Sequence, residues 1–356
     1  MRIAVNGLTL TPQRTGIGRV TLQTLRALLV DDRDDEYVLL LPKDAPPDLG
    51  LDAPNLETID TGVSLSEPLK STVFEETGIP GLLRDRRIDL YYAPSFLLPL
   101  WPAAEREVIC VHDLAWRRFP ETKSLQFRTY MNLRLPAALQ RAARVVCVSE
   151  ATRTELLGEA WSIDAAKLKV VHNGIDPSTF AGVHEPRDPP CAAVVGNMDQ
   201  RKNLRFLFGA IEHVRERHPR FELKVVGPGQ PPPGAGDGIE FLGYCDDAEL
   251  ARVYAGARFV IQPSRYEGFG LPVLEAMAAG APVACSDLPV FHEVAGPAAH
   301  YFDPENQASA VAAMELLLDD DALCATLSQQ GRERAARFSW SDSARRLRDV
   351  FAEVSP

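Results

Sequence analysis

Short apolar runs rich in β-branched residues recur along this chain, and a stretch of helical periodicity separates most runs from the next. Several of the runs are apolar without alternation, which is typical of parallel strands that helices cover on both faces. The pattern predicts an α/β fold made of two tandem α/β units. The predicted strands are residues 3–5, 37–41, 90–92, 108–111, 145–148, 170–171, 192–195, 223–226, 259–261 and 282–284.

The boundary between the two units is predicted in a segment that has no periodicity and many helix breakers, residues 176–190. The chain length of 356 residues agrees with about two domains of roughly 150 residues each. We predict a first domain over residues 1–175, a linker over 176–190 and a second domain over 191–338. Residues 339–356 are predicted to form a C-terminal helix.

The overall charge of the chain is negative. Thirty-eight Lys and Arg residues against 49 Asp and Glu residues give a formal net charge of −11. Such a protein as a whole repels nucleic acid and anionic lipid, so any basic site has to be local. No stretch reaches the roughly 18 uncharged apolar residues of a membrane helix, and the first ten residues read as a strand and a turn rather than a leader. We therefore predict a cytoplasmic protein that does not bind nucleic acid.

The chain also contains local clusters of acidic and of basic residues. The DxD spacings Asp32/Asp34 and Asp319/Asp321 lie in acidic runs that we interpret as solvated faces rather than a metal site. Residues 106–144 carry eight basic and three acidic residues, a local net charge of +5. This segment is predicted to contact an anionic acceptor or the membrane surface, and a solvated basic face is the alternative.

The stretch SRYEGFGLPVLEAMAAGAPVACSD, residues 264–287, is the most informative part of the chain. A predicted strand leads into a glycine-containing loop, and Pro272 stands where a first helical position favours proline. Glycines let the backbone approach a ligand, and the free amides of a helix start attract an anion. The stretch predicts a phosphate site.

Two carboxylates flank that helix start. Glu267 lies in the loop and Glu275 is expected in the first turn of the helix, so both can face one cleft at the carboxyl end of the sheet. Carboxylates accept hydrogen bonds from vicinal hydroxyls, which indicates a sugar or a ribose. The alternative is that Glu275 is a surface residue that compensates the helix dipole.

A second strand-to-helix junction, GNMDQRKN over residues 196–203, carries adjacent basic residues. Arg201 and Lys202 at a helix start are unfavourable to the helix dipole, which indicates an anion between them. A solvated basic pair is the alternative. Because such loops converge on one crevice in a doubly wound sheet, the two junctions together favour a phosphate site.

Two further positions near predicted strand ends are candidates. Gly16 and Gly18 precede a predicted helix, but their spacing from the strand and the lack of a third glycine exclude a dinucleotide fingerprint, leaving a mobile glycine-rich loop as the interpretation. His112 and Asp113 end a predicted strand, where functional residues of such sheets gather. A structural histidine is the alternative there.

Five motifs together resemble one family. RTGIGR, HDL with FPE, HNGID, RKN and EGFGLPVLEAMAAGAPV follow one another in the order found in the family 4 retaining glycosyltransferases. The resemblance covers essentially the whole chain. It implies the GT-B fold, in which two Rossmann-like, doubly wound domains face each other across a cleft. The first domain is then on the acceptor side, the second binds the nucleotide sugar, and the C-terminal helix returns toward the first.

The resemblance also implies roles in the second domain. Glu267 corresponds to the glutamate that contacts hydroxyls of the donor sugar, and Glu275 to the one that holds the ribose. Arg201 and Lys202 are similar to the pair that neutralises the donor diphosphate. The backbone cradle beside the diphosphate is formed, by the same resemblance, by Phe269, Gly270 and Leu271.

Roles in the first domain follow in the same way. His112 is similar to the histidine near the transferred sugar, and Gly16 and Gly18 resemble a loop under the phosphates. The chain departs from the family at Asn197, where an arginine is common, and at Thr15, where a glycine is common. The first departure implies that Arg201 supplies the second positive charge.

The reaction implied is transfer of a hexosyl unit from a nucleotide diphosphate sugar to an acceptor hydroxyl, with retention of the anomeric configuration and without a metal or other cofactor. The segment from HDL to FPE looks most like bacterial mannosyl- and rhamnosyl-transferases of surface polysaccharides, which favours GDP-mannose as donor and a glycan or lipid-linked acceptor. UDP-sugars are the alternative donor. A nucleotide-sugar epimerase and a noncatalytic sugar-nucleotide-binding protein are the alternative functions.

Overall fold

The protein is described by a computed structural model that covers residues 1–12, 15–180, 182, 184–232 and 236–355. The chain separates into two units. Unit 1 comprises Met1–Leu114, Ser124–Gly174 and the chain from Trp340 onward, and unit 2 comprises Ala115–Lys123 and Ile175–Ser339. Both units therefore contain segments that are distant in sequence.

Parallel strands form the centre of unit 1. In the part of unit 1 that the structure describes, one sheet has the strand order β3-β2-β1-β4-β5-β6-β7, and all neighbours in it are parallel. The strand order reverses between β1 and β4, so the carboxyl ends of these two strands form a topological switch point. The strands are β1 Arg2–Asn6, β2 Glu36–Leu41, β3 Leu56–Asp60, β4 Leu90–Ala93, β5 Arg106–Val111, β6 Arg144–Cys147 and β7 Leu168–Val170.

Unit 2 has a sheet of the same design. Its described strands follow the order β10-β9-β8-β11-β12-β13, again with parallel neighbours throughout. This is the strand order of the dinucleotide-binding α/β fold, and its switch point lies between β8 and β11. The strands are β8 Cys191–Val195, β9 Glu222–Val226, β10 Ile239–Gly243, β11 Phe259–Gln262, β12 Val283–Ser286 and β13 His300–Phe302.

Helices connect the strands, as parallel pairing requires. Within the described residues, no helix combines the length and the apolar character that crossing a membrane needs. The helices are α1 Gly16–Asp31, α2 Pro68–Val73, α3 Ile79–Leu83, α4 Ala115–Arg118, α5 Leu125–Arg141, α6 Glu150–Gly158, α7 Leu204–Arg217, α8 Asp247–Gly256, α9 Leu271–Ala278, α10 Pro289–Ala295, α11 Gln307–Asp319, α12 Asp321–Ala335 and α13 Trp340–Ala352.

The predicted strands are confirmed, whereas three observed strands were not predicted. β3, β10 and β13 each form an edge of a sheet. An edge strand has a single neighbour, so its sequence needs less apolar character than a central strand. In β3 every residue is at least partly exposed, and the LETID sequence has no continuous apolar run.

The C-terminal helix α13 packs into unit 1 against α1. Its apolar face is fully buried at Phe351, whose ring meets that of Tyr92 from β4 edge to face, with centroids 5.3 Å apart. Edge-to-face aromatic pairs stabilise beyond the area they bury. This contact ties the last helix to a central strand.

Phe351→Ala should therefore lower the free energy of unfolding of unit 1 by about 3–5 kcal/mol, because the substitution removes a fully buried ring and leaves a cavity. Urea denaturation followed by fluorescence and circular dichroism measures the change. Val30→Ala is the control, since Val30 on α1 is 69% exposed. A loss no larger for Phe351→Ala than for Val30→Ala would contradict the role given to α13.

Candidate active site

Two loops leave adjacent strands at the switch point of unit 2. One joins β8 to α7 and the other joins β11 to α9, and β8 and β11 are hydrogen-bonded neighbours. The backbone N–H of Arg265 in the second loop donates to the carbonyl oxygen of Arg201 in the first, at 2.8 Å. The predicted convergence of the two junctions is confirmed.

The side chain of Glu267 lies at the centre of this junction and is only 7% exposed. Lys202 Nζ is 2.6 Å from Glu267 Oε1, and Arg201 Nη1 is 3.4 Å from Glu267 Oε2. Burial opposes ionisation of this carboxyl, but the two neighbouring cations hold its pKa below the usual value. Two positive charges against one negative charge leave the group with a net +1.

A serine and a glutamine complete the surroundings of Glu267. The Ser264 hydroxyl donates to Glu267 Oε1 at 2.7 Å, and the amide nitrogen of Gln262 donates to the Ser264 oxygen at 2.9 Å. Both residues are fully buried. Sequence reasoning assigned no role to either residue, although Gln262 ends β11 and Ser264 follows it closely, at the end of the sheet where such residues gather.

The local structure of the basic pair differs from the expectation. Arg201 and Lys202 lie in a 3₁₀ turn, Gln200–Lys202, and α7 begins only after them. Asp199 caps this turn by accepting from the Arg201 backbone N–H at 3.0 Å, and Asn203 then adopts a left-handed conformation. The cations therefore stand before α7 rather than in its first turn, and in this structure the anion between them is Glu267.

The start of α9 follows directly on this cluster. Gly270 precedes the helix with a φ of +99°, which favours glycine, and a Cβ there would stand 2.7 Å from Cε1 of Phe291. Leu271 and Pro272 open the helix, and Phe269 is buried. Pro272 has no N–H, and the N–H groups of Val273 and Leu274 donate to the carbonyl oxygen of Gly270. The Leu271 N–H and the helix dipole are therefore what this end can offer to an anion.

Glu275 differs from both of its predicted placements. It is the fifth residue of α9, in the second turn, and it is 3% exposed, so it is not a surface residue that compensates the helix dipole. The Tyr254 hydroxyl, from α8, donates to Glu275 Oε2 at 3.1 Å. Tyr254 is not among the site residues predicted from the sequence. A buried carboxylate needs such a donor.

In unit 1, His112 follows β5 and is buried. Its Nε2 is 2.7 Å from the carbonyl oxygen of Pro94, and its ring packs against Phe96. Burial alone would lower the pKa of His112, but Cys110, the Pro94 carbonyl and Asp113 together raise it above the usual value. The imidazole is thus held in one orientation at the carboxyl end of the sheet.

The two N-terminal glycines do not form a loop. Gly16 and Gly18 are the first and third residues of α1, and the Thr15 hydroxyl caps the helix by accepting from the Gly18 N–H at 3.1 Å. A Cβ on Gly18 would stand 2.5 Å from the carbonyl oxygen of Thr9, so this position requires glycine for close backbone approach. Residues 13 and 14, which include the first arginine of RTGIGR, lie outside the described residues.

The charge clusters outside the junction are mostly structural. Asp32 is fully buried and accepts from the Tyr37 hydroxyl at 2.6 Å, so it is not on a solvated face as predicted. Asp34, Asp319 and Asp321 are exposed, in agreement with the prediction. In the basic segment, Arg134 pairs with Glu76, and Arg141 and Arg144 also bind carboxylates. Among the described residues, no three or more His, Cys, Asp or Glu side chains are grouped as metal ligands.

The chain matches two family models. The model of "Glycosyltransferase Family 4" matches residues 14–179, and that of "Glycosyl transferases group 1" matches residues 177–334. O-antigen chain mannosyltransferase B of Escherichia coli is 33% identical over 281 residues, which are 73% of this chain and 73% of that protein. Phosphatidyl-myo-inositol mannosyltransferase of Mycolicibacterium smegmatis is 29% identical over 277 residues, 74% of this chain and 69% of that protein.

Solved structures share the fold. Sucrose-phosphate synthase from Thermosynechococcus elongatus superposes with a TM-score of 0.79 at 20% identity, covering 99% of both chains. Anabaena HepE in complex with UDP and glucose superposes with a TM-score of 0.74 at 17% identity, covering 99% of this chain and 100% of that one. Two parallel α/β units that match in this way, together with the family models and the O-antigen relative, show that this chain belongs to the family 4 glycosyltransferases of the GT-B fold.

Proposed function

We propose that this glycosyltransferase moves mannose from GDP-mannose to a hydroxyl of a glycan or lipid-linked acceptor, with retention of configuration and without a metal ion. The observation that carries the proposal is the cluster of Lys202, Arg201, Ser264 and Glu267 directly before the start of α9. The names of the two mannosyltransferase relatives support the choice of sugar. Synthesis of a polysaccharide or a glycolipid is the process to which such a reaction belongs.

The charges of the cluster suit the departure of a nucleoside diphosphate. When the bond to the sugar breaks, negative charge grows on the diphosphate oxygen and positive character grows on the sugar. Lys202 and Arg201 can stabilise the first, together with the Leu271 N–H and the dipole of α9. Glu267 remains ionised between them, so it can accept hydrogen bonds from the sugar and stabilise its positive character.

The buried carboxylate of Glu275 is proposed to hold the two ribose hydroxyls. One of its oxygens accepts from Tyr254, which fixes the orientation of the carboxyl group. This contact reads the ribose and not the base, so it serves GDP and UDP equally. UDP-sugars remain the second candidate donor, in line with the UDP bound by the Anabaena protein.

We place His112 near the transferred sugar. Gly16 and Gly18 are proposed to lie near the diphosphate of the donor. The carbonyl of Pro94 orients His112 in unit 1, and the Thr15 cap orders the helix start that contains both glycines. Phe269 and Gly270 form the backbone turn before α9, and Leu271 is the first residue of that helix.

Lys202→Ala should lower kcat/KM by roughly a hundredfold to a thousandfold, the scale seen when one preorganised transition-state donor is removed. Initial rates of GDP release with GDP-mannose and a mannoside acceptor measure it. EDTA should leave the rate of the wild type nearly unchanged. Lys70→Ala is the matched control, because Lys70 forms a comparable pair with Glu67 at 2.7 Å but is 71% exposed.

The same reaction mixtures test the remaining parts of the proposal. An EDTA-sensitive wild type together with a fully active Lys202→Ala would contradict the metal-free assignment. NMR of the isolated product identifies its anomer, and inversion would contradict retention. Turnover with UDP-sugars but not with GDP-mannose would show that the donor is a UDP-sugar instead of GDP-mannose.

Glu275→Gln should weaken binding of both GDP and UDP by about tenfold or more, because the amide cannot accept hydrogen bonds from both ribose hydroxyls as a carboxylate does. Isothermal titration calorimetry measures the two affinities. Glu240→Gln, at a half-exposed carboxyl on β10, is the control. Equal affinities for the wild type and Glu275→Gln would exclude the ribose assignment.

We also propose a peripheral membrane contact for unit 1. It rests mainly on exposed apolar side chains rather than on the net charge of residues 106–144. The ion pairs of Arg134, Arg141 and Arg144 reduce the free positive charge of the basic segment. Exposed apolar side chains offer a second attraction: on α5, Leu125 is 72% exposed and Leu133 is 73% exposed. Burying such side chains in lipid is favourable.

Binding to vesicles that contain anionic lipid should also weaken as salt rises, because the charge attraction that the basic segment retains falls away within a Debye length. The double variant Leu125→Ser with Leu133→Ser should bind about tenfold more weakly in a flotation assay. Val30→Ser, at an exposed apolar residue of α1, is the control. Absence of binding to anionic vesicles at low salt would remove the membrane contact.

A further inference from the structure

A small polar pocket lies in unit 1 at the switch point of its sheet, and its lining includes none of the residues proposed above to bind the donor. β1 ends there at Asn6, next to β4, and a π-helical turn, Phe74–Gly78, follows α2. The pocket is lined by polar side chains of Asn6, Glu75, Glu76, Tyr91 and Tyr130, with Leu98 among its apolar residues. Its free space fits a group about the size of one water molecule.

One of the two carboxylates in this pocket is fully engaged. Glu76 accepts from the Tyr130 hydroxyl at 2.5 Å and from Arg134, whose Nε and Nη2 are 2.9 Å and 2.5 Å from its two oxygens. Arg134 also donates to the carbonyl oxygen of Leu98 at 2.9 Å. The pair is therefore neutral, and Arg134 offers little attraction to an anionic ligand.

The second carboxyl group has weaker support. Glu75 faces the same pocket without an ion-pair partner among the described residues, and its main neighbours are Asn6 and the carboxylate of Glu76. Burial, aided by the charge of Glu76, raises the pKa of Glu75 to about 7, and a hydrogen bond from Asn6 opposes this rise. The group would therefore gain from an additional uncharged donor.

Tyr91 adds a hydroxyl to the pocket, and the side chain of Asn6 lies near enough to stabilise the ionised form of this hydroxyl. The side chain of Tyr91 is completely buried, and its hydroxyl oxygen lines the pocket without a hydrogen-bond partner at bonding distance and angle in the described part of the chain. A buried hydroxyl without a partner at full hydrogen-bond geometry is unfavourable. A ligand hydroxyl satisfies both groups at once, because it donates to Glu75 and accepts from Tyr91.

We propose that this pocket binds one hydroxyl group of an uncharged acceptor sugar, and that Glu75, Asn6 and Tyr91 form the hydrogen bonds to this hydroxyl. A phosphate or carboxylate is disfavoured, since Glu75 repels it and Arg134 is already neutralised by Glu76. The inference deepens the proposed function, and it rests on that function in taking the ligand to be the acceptor. It assigns to the acceptor a neutral, hydroxyl-bearing end rather than a phosphorylated one.

The test uses the full-length protein with Tyr91→Phe and Glu75→Ala, and with Glu67→Gln as the control at an exposed carboxyl of the same unit. Steady-state rates give separate KM values for donor and acceptor, with methyl α-mannopyranoside and mannose 6-phosphate as the two acceptor probes. Each pocket variant should raise the KM of the neutral acceptor about tenfold and leave the donor KM within twofold. The wild type should prefer the neutral probe.

Binding measured without turnover separates this inference from the proposed function. Saturation-transfer NMR with methyl α-mannopyranoside should show a signal for the wild type that Tyr91→Phe weakens, whether or not transfer occurs. An unchanged acceptor KM and an unchanged NMR signal in both pocket variants would overturn the inference, as would a preference of the wild type for mannose 6-phosphate. Absence of transfer with every donor would overturn only the proposed function.

Discussion

The buried carboxylate of Glu267 is the charge on which the arrangement of unit 2 depends. An ionised group that is 7% exposed requires partners, and it has Lys202 from one loop and Ser264 from the other. Satisfying this charge draws together two loops that leave adjacent strands, and the Arg265–Arg201 backbone bond holds them there. The strand order makes the contact possible, because the switch point places β8 directly beside β11.

The same requirement explains why the junction can bind a charged donor. Two cations against one carboxylate leave a net +1 beside the Leu271 N–H and the positive end of the α9 dipole. Gly270 lets the backbone turn sharply into that helix, which brings the buried carboxyl of Glu275 onto the same element five residues later. The backbone turn that we propose beside the diphosphate and the carboxylate that we propose for the ribose therefore lie on one short helix and the turn before it.

The sequence predicted the parts that depend on local pattern. Continuous apolar runs identified the central strands. The glycine-containing junction and the basic junction were expected to converge because the carboxyl ends of parallel strands lie at one edge of the sheet. Contacts between distant segments could not be predicted in this way. Tyr254 reaches Glu275 from another helix, and nothing in the local sequence of Gly16 and Gly18 distinguishes a loop from the capped start of α1. The pocket of Glu75 and Tyr91 likewise combines segments that only the folded sheet brings together.

A crystal structure of the complex with GDP tests whether the Lys202–Glu267 junction receives the diphosphate of the donor. We expect oxygens of the β-phosphate to lie within hydrogen-bonding distance of Lys202 Nζ and of the Leu271 N–H at the start of α9, with the ribose hydroxyls on Glu275. A diphosphate bound away from Lys202, or a ribose that does not contact Glu275, would contradict this assignment.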